Sequence, residues 1–233
     1  MASRVFAPRL VPTLVAVPLA ALLVWLGHWQ MQRADEARTR EAAFAASGTE
    51  PVELPDAARA PRYLHVRLAG VYLPERQILL DNMTSNGEAG YRVLTPFVTD
   101  AGIAVLVDRG WVPLGASRAL RPDVAVGGGP RVLTGRLDSV PRAGIDPPAD
   151  AGSGWPRVLN YPSLATLSRA LERPLYPWLV LLDPGVPDGY VRDWQPHGVS
   201  VERHLAYAAQ WYAFAATLAV LYAIASFRRE PRP

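Results

Sequence analysis

With 233 residues, half of them apolar, a mean hydropathy of +0.06 and a formal charge of +3, the chain is too polar for a bundle of membrane helices alone. The positive charge is all arginine, scattered among acids with no lysine, so the basic stripe that nucleic-acid binding requires is missing. The absence of cysteine excludes disulfides, zinc fingers, iron–sulfur sites and thiol catalysis, and three methionines (Met1, Met31, Met83) are a poor ligand supply for a Cu(I) carrier.

Arg4 and Arg9 precede an almost wholly apolar run from Leu10 to Gly27 that ends in Trp25, His28 and Trp29. No small-x-small cleavage site follows it, and tryptophan favours the membrane interface, so the run reads as an uncleaved anchor rather than a signal peptide. From Gln32 to about Ala46, opposite charges at helical spacing, such as Glu36 and Arg40, predict a polar extension of the same helix. Pro51, Pro55 and Pro61 then mark an extended linker over 49–61.

Strands follow. The apolar alternation and β-branched content predict them at Tyr63–Tyr72, Arg76–Asp81, Tyr91–Val98, Ile103–Val112, Arg131–Leu137, Trp178–Leu182 and Tyr190–Trp194. Asn86-Gly87 lies in the loop before Tyr91, Asp100-Ala101-Gly102 reads as a hairpin loop, and Gly144 to Pro156 reads as a long loop. Gly127-Gly128-Gly129 opens a strand and lacks the phosphate-binding spacing, so it reads as a plain connection. Leu164, Leu167, Ala170 and Leu171 share one side of a helix over Ser163–Arg173. The last stretch, Leu205 to Phe227, has no charge and no proline; at 1.5 Å per residue it makes a rod of about 35 Å, enough to cross a bilayer.

The pattern predicts an α+β membrane protein in which two transmembrane helices flank an extracytoplasmic antiparallel β sandwich or barrel-like domain carrying one or two helices. Its expected divisions are a cytoplasmic tail at 1–9, spans at 10–29 and 204–227, the β-rich domain at 30–203, and a second tail at 228–233. Arg4, Arg9, Arg228, Arg229 and Arg232 place both termini in the cytoplasm by the positive-inside rule, although Arg33, Arg38 and Arg40 weaken the bias.

Among candidate site residues His204 comes first. It stands at the mouth of the second span, and helical spacing puts Tyr207, Ala208 and Trp211 on its face. An imidazole there is a candidate axial ligand to haem iron, with Tyr207 and Trp211 as an apolar wall for the porphyrin; the plainer reading is an interfacial histidine in an aromatic belt. His28 is a rival or second ligand, while His65 and His197 read as structural. Asp108-Arg109 sets an acid and a base on opposite faces of one strand, which points to an ion pair or a partner-binding lip. A hydrolase built on Asp108 lacks a nucleophile and a base nearby in sequence.

Four stretches in order along the chain resemble the Surfeit-locus-one (Shy-one) family of cytochrome c oxidase assembly proteins: Leu26-Gly27-x-Trp29-Gln30-x-x-Arg33, Tyr91 to Phe97, Val107 to Pro113, and His204-Leu205-x-Tyr207-Ala208-x-x-Trp211. The resemblance implies a two-span protein of the bacterial cell (inner) membrane with a periplasmic central domain. It also implies a chaperone role in respiratory chain biogenesis rather than an enzyme activity. On that resemblance the chain takes haem a as cargo from haem a synthase and assists its insertion into cytochrome c oxidase subunit one, with His204 as the iron ligand. The alternative is a membrane scaffold that stabilises a nascent oxidase subunit without binding haem. The sequence departs from some relatives in having Arg203 before the histidine and in lacking a Trp-Lys pair after Arg33.

Overall fold

A computed structural model describes residues 4–47, 50–115, 120–141, 154–196 and 198–229. In chain order the elements are β1 (Arg4–Phe6), α1 (Leu10–Ala46), β2 (Val52–Glu53), β3 (His65–Tyr72), β4 (Ile78–Ser85), β5 (Glu88–Thr99) and β6 (Ala104–Pro113). They continue with β7 (Pro130–Asp138), β8 (Arg157–Leu159), α2 (Leu164–Ala170), β9 (Leu179–Leu182), α3 (Val201–Ser226) and β10 (Phe227–Arg229). The chain divides into two compact units, Ala43–Gln195 and the terminal segments Met1–Ala42 with Pro196–Pro233.

The central unit is a β-barrel. Strand β5 pairs β6 along its length, while its other edge pairs β4 as far as Leu94 and β3 from Phe97 onward. Pro96 sits in that change of partner, where a residue without an N–H breaks no ladder bond. The β3–β5 pairing closes a ring β3-β7-β9-β6-β5, with β2 added to β3 and β4-β8 splaying from β5. The period of two divides the side chains cleanly. Val105 and Val107 point inward with Val66, Leu68, Phe97, Leu133 and Val180, whereas Leu106, Leu94, Leu179 and Leu181 form an outer layer with Leu167 and Leu171 around α2. Ser163 caps α2, its Oγ accepting from the Thr166 N–H.

The expected hairpin forms, with Thr99 and Ile103 bracketing Asp100-Ala101-Gly102, and the loop holding Asn86-Gly87 proves to be a second one, a two-residue turn between β4 and β5. Three expectations differ. The stretch Tyr190–Trp194 is not a strand but a single bridge, Val191 to Trp111, because the Arg192 guanidinium donates to the carbonyls of Asp183, Pro184 and Val186 and folds the segment over its own turn. The linker contains a short strand, β2, laid parallel on β3, and the loop ending at Pro156 runs into β8, parallel to β4. The rest of that loop, 142–153, lies outside the described residues.

Inside the barrel Tyr72 is 1% exposed, packed edge-on against Phe97 at 5.2 Å, and its hydroxyl has no hydrogen-bond partner among the described residues. Burial pushes its phenol up to about 12, with the Arg109 guanidinium pulling more weakly the other way. A phenol in the unfolded chain ionises near 10, so the folded chain keeps a proton that the unfolded chain releases between these two pH values. Stability is therefore unaffected by Tyr72 below about pH 10 and falls above it, by up to roughly 2–3 kcal/mol near pH 12. In Tyr72→Phe this alkaline loss is expected to shrink, and at pH 7 the variant is expected to be neutral to about 1 kcal/mol more stable, since it removes an unpaired buried hydroxyl. Urea unfolding of the detergent-purified protein at pH 7 and pH 11 reads both.

The terminal unit is a pair of antiparallel helices, α1 and α3, with β1 paired to β10 (Arg4 to Arg229, Phe6 to Phe227) where the two helices meet the chain ends. Both helices are long and apolar enough to cross a bilayer. Their outer faces carry apolar side chains open to the surroundings, among them Leu10, Val11, Leu14 and Val15 on α1 and Val220, Leu221 and Ile224 on α3, as lipid requires. At 37 residues α1 is about 55 Å long, well beyond a hydrocarbon core, so its charged end from Arg33 onward extends out of the bilayer. Pro12 falls in its first turn, and Pro18 costs one helical hydrogen bond that an apolar span tolerates.

Candidate functional site

The helix pair is held by a heptad seam that neither span shows as an obvious amphipathic stripe. A row of buried or half-buried residues runs along α1 through Thr13, Ala16, Ala20, Leu23, Gly27, Gln30, Ala34 and Ala37, and along α3 through Val201, His204, Ala208, Trp211, Ala215, Leu218 and Tyr222, with others such as Leu26, Met31 and Leu205 beside it. The steps alternate three and four, the signature of two helices winding on each other. Small residues dominate the α1 side and recur on α3 at Ala208 and Ala215, so the backbones approach closely. At Gly27 a Cβ would stand 2.6 Å from the Tyr212 ring, which needs that notch. Thr13 Oγ1 and the Tyr222 hydroxyl are hydrogen-bonded at 2.6 Å near one end of the seam, and Ala34, Ala37 and Val201 close the other.

Between these ends lies His204. It is 8% exposed, and its Nδ1 is 2.8 Å from Oε1 of Gln30, which is itself 9% exposed. The amide oxygen faces the ring, an arrangement that pairs with a proton on Nδ1; Nε2 has no hydrogen-bond partner among the described residues. A buried imidazole with Nδ1 tethered and Nε2 open has, with its proton on Nδ1, the donor chemistry of a metal ligand. Among the described residues no group of three or more His, Asp or Glu could hold a metal ion, so the site offers a single nitrogen, as axial ligation of a macrocycle requires.

The predicted neighbours separate. Ala208 is on the seam with His204, and Trp211 is half-buried there, edge-on to Phe214 at 6.0 Å. Tyr207 is 47% exposed, off the seam, because it follows the step from Val201 to His204 with a second step of three, which leaves it about 120° from Val201 where the seam takes a step of four to Ala208. His28 is exposed, with its Nε2 3.3 Å from Gln32 of its own helix, and is not on the seam. His65 is paired with Asp183 at 2.7 Å, a structural bond between β3 and the segment after β9. His197 lies outside the described residues.

The model for the SURF1 family matches residues 17–216, from within α1 to within α3 and so across the barrel, Gln30 and His204. This chain belongs to the SURF1 family. An uncharacterized SURF1-like protein of Mycobacterium bovis is 30% identical over 199 residues, 81% of this chain and 72% of that one. A SURF1-like protein of Rickettsia felis is 34% identical over 101 residues, 42% of this chain and 45% of its own length. A Saccharomyces cerevisiae protein named cytochrome oxidase assembly protein SHY1 is 33% identical over 117 residues, 47% of this chain and 30% of that one. The match thus spans less than half of the Rickettsia and yeast relatives.

In this SURF1 protein the Asp108-Arg109 pair is built into the barrel wall. Asp108 is fully buried, 2.6 Å from the Arg92 guanidinium of the neighbouring strand, and its Oδ1 accepts from the Gly110 N–H at 3.0 Å. That carboxylate is closed to any substrate. Arg109, 2% exposed, makes no ion pair among the described residues; it plugs the barrel end, donating to Gln77 Oε1, Val124 O and Asp188 O and facing the Tyr190 ring at 5.0 Å. Two clefts on the domain have volumes of about 280 and 230 Å³, below the usual range for cofactor pockets. Gln30 is the site residue that sequence reasoning missed. It lay inside a quoted motif without a role, and the three-four spacing from Gly27 to Gln30 to Ala34 is the signal that would have found it.

Proposed function

We propose that this SURF1 protein is an assembly factor for cytochrome c oxidase that binds haem a through His204 Nε2 and assists its insertion into subunit one. The observation that supports this most directly is a buried imidazole, held in a helix seam, whose Nε2 lone pair has no partner among the described residues. The family membership supports the assembly role, as does the name of the yeast relative. Haem a synthase is the source of the cargo in this reading. The farnesyl tail gains roughly 0.8 kcal/mol per CH₂ kept in lipid, while a site at the helix mouth leaves the propionates in water.

Because His204 is only 8% exposed, iron reaches Nε2 when side chains give way on that side of the imidazole, with the Nδ1–Gln30 bond kept. A site that must open to take its cargo suits a carrier more than a resident cofactor site. In this reading Tyr207 and Trp211 line the cargo from α3. The arginines outside the spans support cytoplasmic termini and a domain on the opposite, periplasmic side.

A second reading is favoured by the same burial: a scaffold whose closed seam never takes the cofactor and which stabilises a nascent oxidase subunit. The absorption spectrum of protein purified in detergent from cells that make haem a separates the two. The wild type is expected to carry the pigment and His204→Ala to lose most of it, at unchanged expression. Equal pigment in both removes His204 from the role, and a colourless wild type with oxidase subunits co-eluting leaves the scaffold.

A further inference from the structure

Gln30 projects from α1 into the seam at the level of His204, and its Oε1 faces Nδ1 at 2.8 Å. Both side chains are nearly closed to solvent, at 9% and 8% exposed, so water does not compete for this bond. We infer that Gln30 is a positioning residue that holds His204 as the Nδ1–H tautomer and aims the Nε2 lone pair, the inference about cargo affinity resting on the haem reading above. The chemistry is a choice between two arrangements. With the amide oxygen toward the ring, the proton sits on Nδ1 and Nε2 can ligate; with the amide nitrogen toward the ring, Nδ1 is the acceptor, the proton moves to Nε2, and that nitrogen cannot bind a metal.

The bond also accounts for the composition of the seam. Gln30 is its one side chain on α1 with a carboxamide, in a row otherwise of small, aliphatic or hydroxyl residues, and in an apolar setting such a group is costly unless paired. His204 satisfies it, and it satisfies His204. Removing the group that hydrogen-bonds the far nitrogen of a metal-bound histidine typically changes affinity by about 10- to 100-fold.

The test has one arm that needs no haem. In apo protein labelled at histidine with ¹⁵N, the His204 shifts are expected to report a protonated Nδ1 and an unprotonated Nε2, and Gln30→Leu is expected to abolish that preference. A wild-type His204 protonated at Nε2, or a tautomer unchanged in a folded Gln30→Leu, overturns the inference. The wild-type measurement stands even if the leucine variant does not fold. In the second arm, haem a retained per protein is expected to fall about 10-fold or more in Gln30→Leu and to recover in Gln30→Glu, whose carboxylate accepts from Nδ1 more strongly. Gln30→Glu should also lower the reduction potential of the bound haem, a shift that loss of packing alone does not produce. The expected tautomer with no haem bound to any form would sustain the positioning role and remove the haem reading instead.

Discussion

Replacing Arg109 with methionine is expected to destabilise the barrel by roughly 3–6 kcal/mol, a large share of what a domain of this size has. The guanidinium ties three separate segments to β6: Gln77 before β4, Val124 in the segment before β7, and Asp188 after β9, at 2.7–2.9 Å. Removing it orphans these buried acceptors, and each unsatisfied one costs about 1–3 kcal/mol. The gain from no longer burying a charge is offset by those losses, because here the charge is already held by oxygens and by the Tyr72 and Tyr190 rings at 5.8 and 5.0 Å. Arg109→Lys should restore little, since one ammonium cannot reach three acceptors set around a planar fork. Urea unfolding of the purified chain, followed by tryptophan fluorescence, measures this; a methionine variant within about 1 kcal/mol of wild type would refute the account.

Asp108→Ala is expected to cost about 3–5 kcal/mol, because it removes a fully buried carboxylate that lies 2.6 Å from the Arg92 guanidinium, whose side chain is 11% exposed. It also releases the Gly110 N–H from the Asp108 carboxylate. Gly110 has φ of 111° and approaches the Val191 carbonyl so closely that a Cβ would be 2.6 Å away, so this turn of backbone depends on being held. The double variant Asp108→Ala with Arg92→Met should recover part of the loss, since no unpaired charge remains. A double-mutant cycle is expected to give a coupling of about 1–3 kcal/mol. A coupling near zero would mean the pair is incidental. An Asp108→Ala variant that folds as the wild type does but loses a hydrolytic activity would revive the catalytic reading of this acid.

These two adjacent residues mark where sequence reading stops. Their alternation along β6 shows that they face opposite sides, but not that Asp108 finds Arg92 on the next strand while Arg109 finds neutral oxygens. Arg92 is 16 positions away and the partners of Arg109 lie 15, 32 and 79 positions away, distances over which pairing depends on register. The same holds for Tyr190–Trp194, whose β-rich composition favours a strand until Arg192 binds carbonyls that a local pattern does not include. In the spans, His204 was found because it stands at the edge of a long uncharged run. Gln30 was not, because a polar residue where an apolar run ends looks ordinary unless the three-four spacing around it is read as a seam.

The two membrane helices, the polar continuation of the first, most strands and their hairpins were all legible in the order of residues. Each of these depends on neighbours within a few residues: uncharged runs long enough for lipid, alternation with a period of two, and turn residues that accept positive φ. What had to wait for the packed molecule is that Pro96 lies where β5 changes partners and the barrel closes, and that Tyr207 turns away while His204 meets Gln30 across 174 positions of chain. Ring closure and a helix seam are contacts between distant segments, and their geometry exists only when both sides are packed.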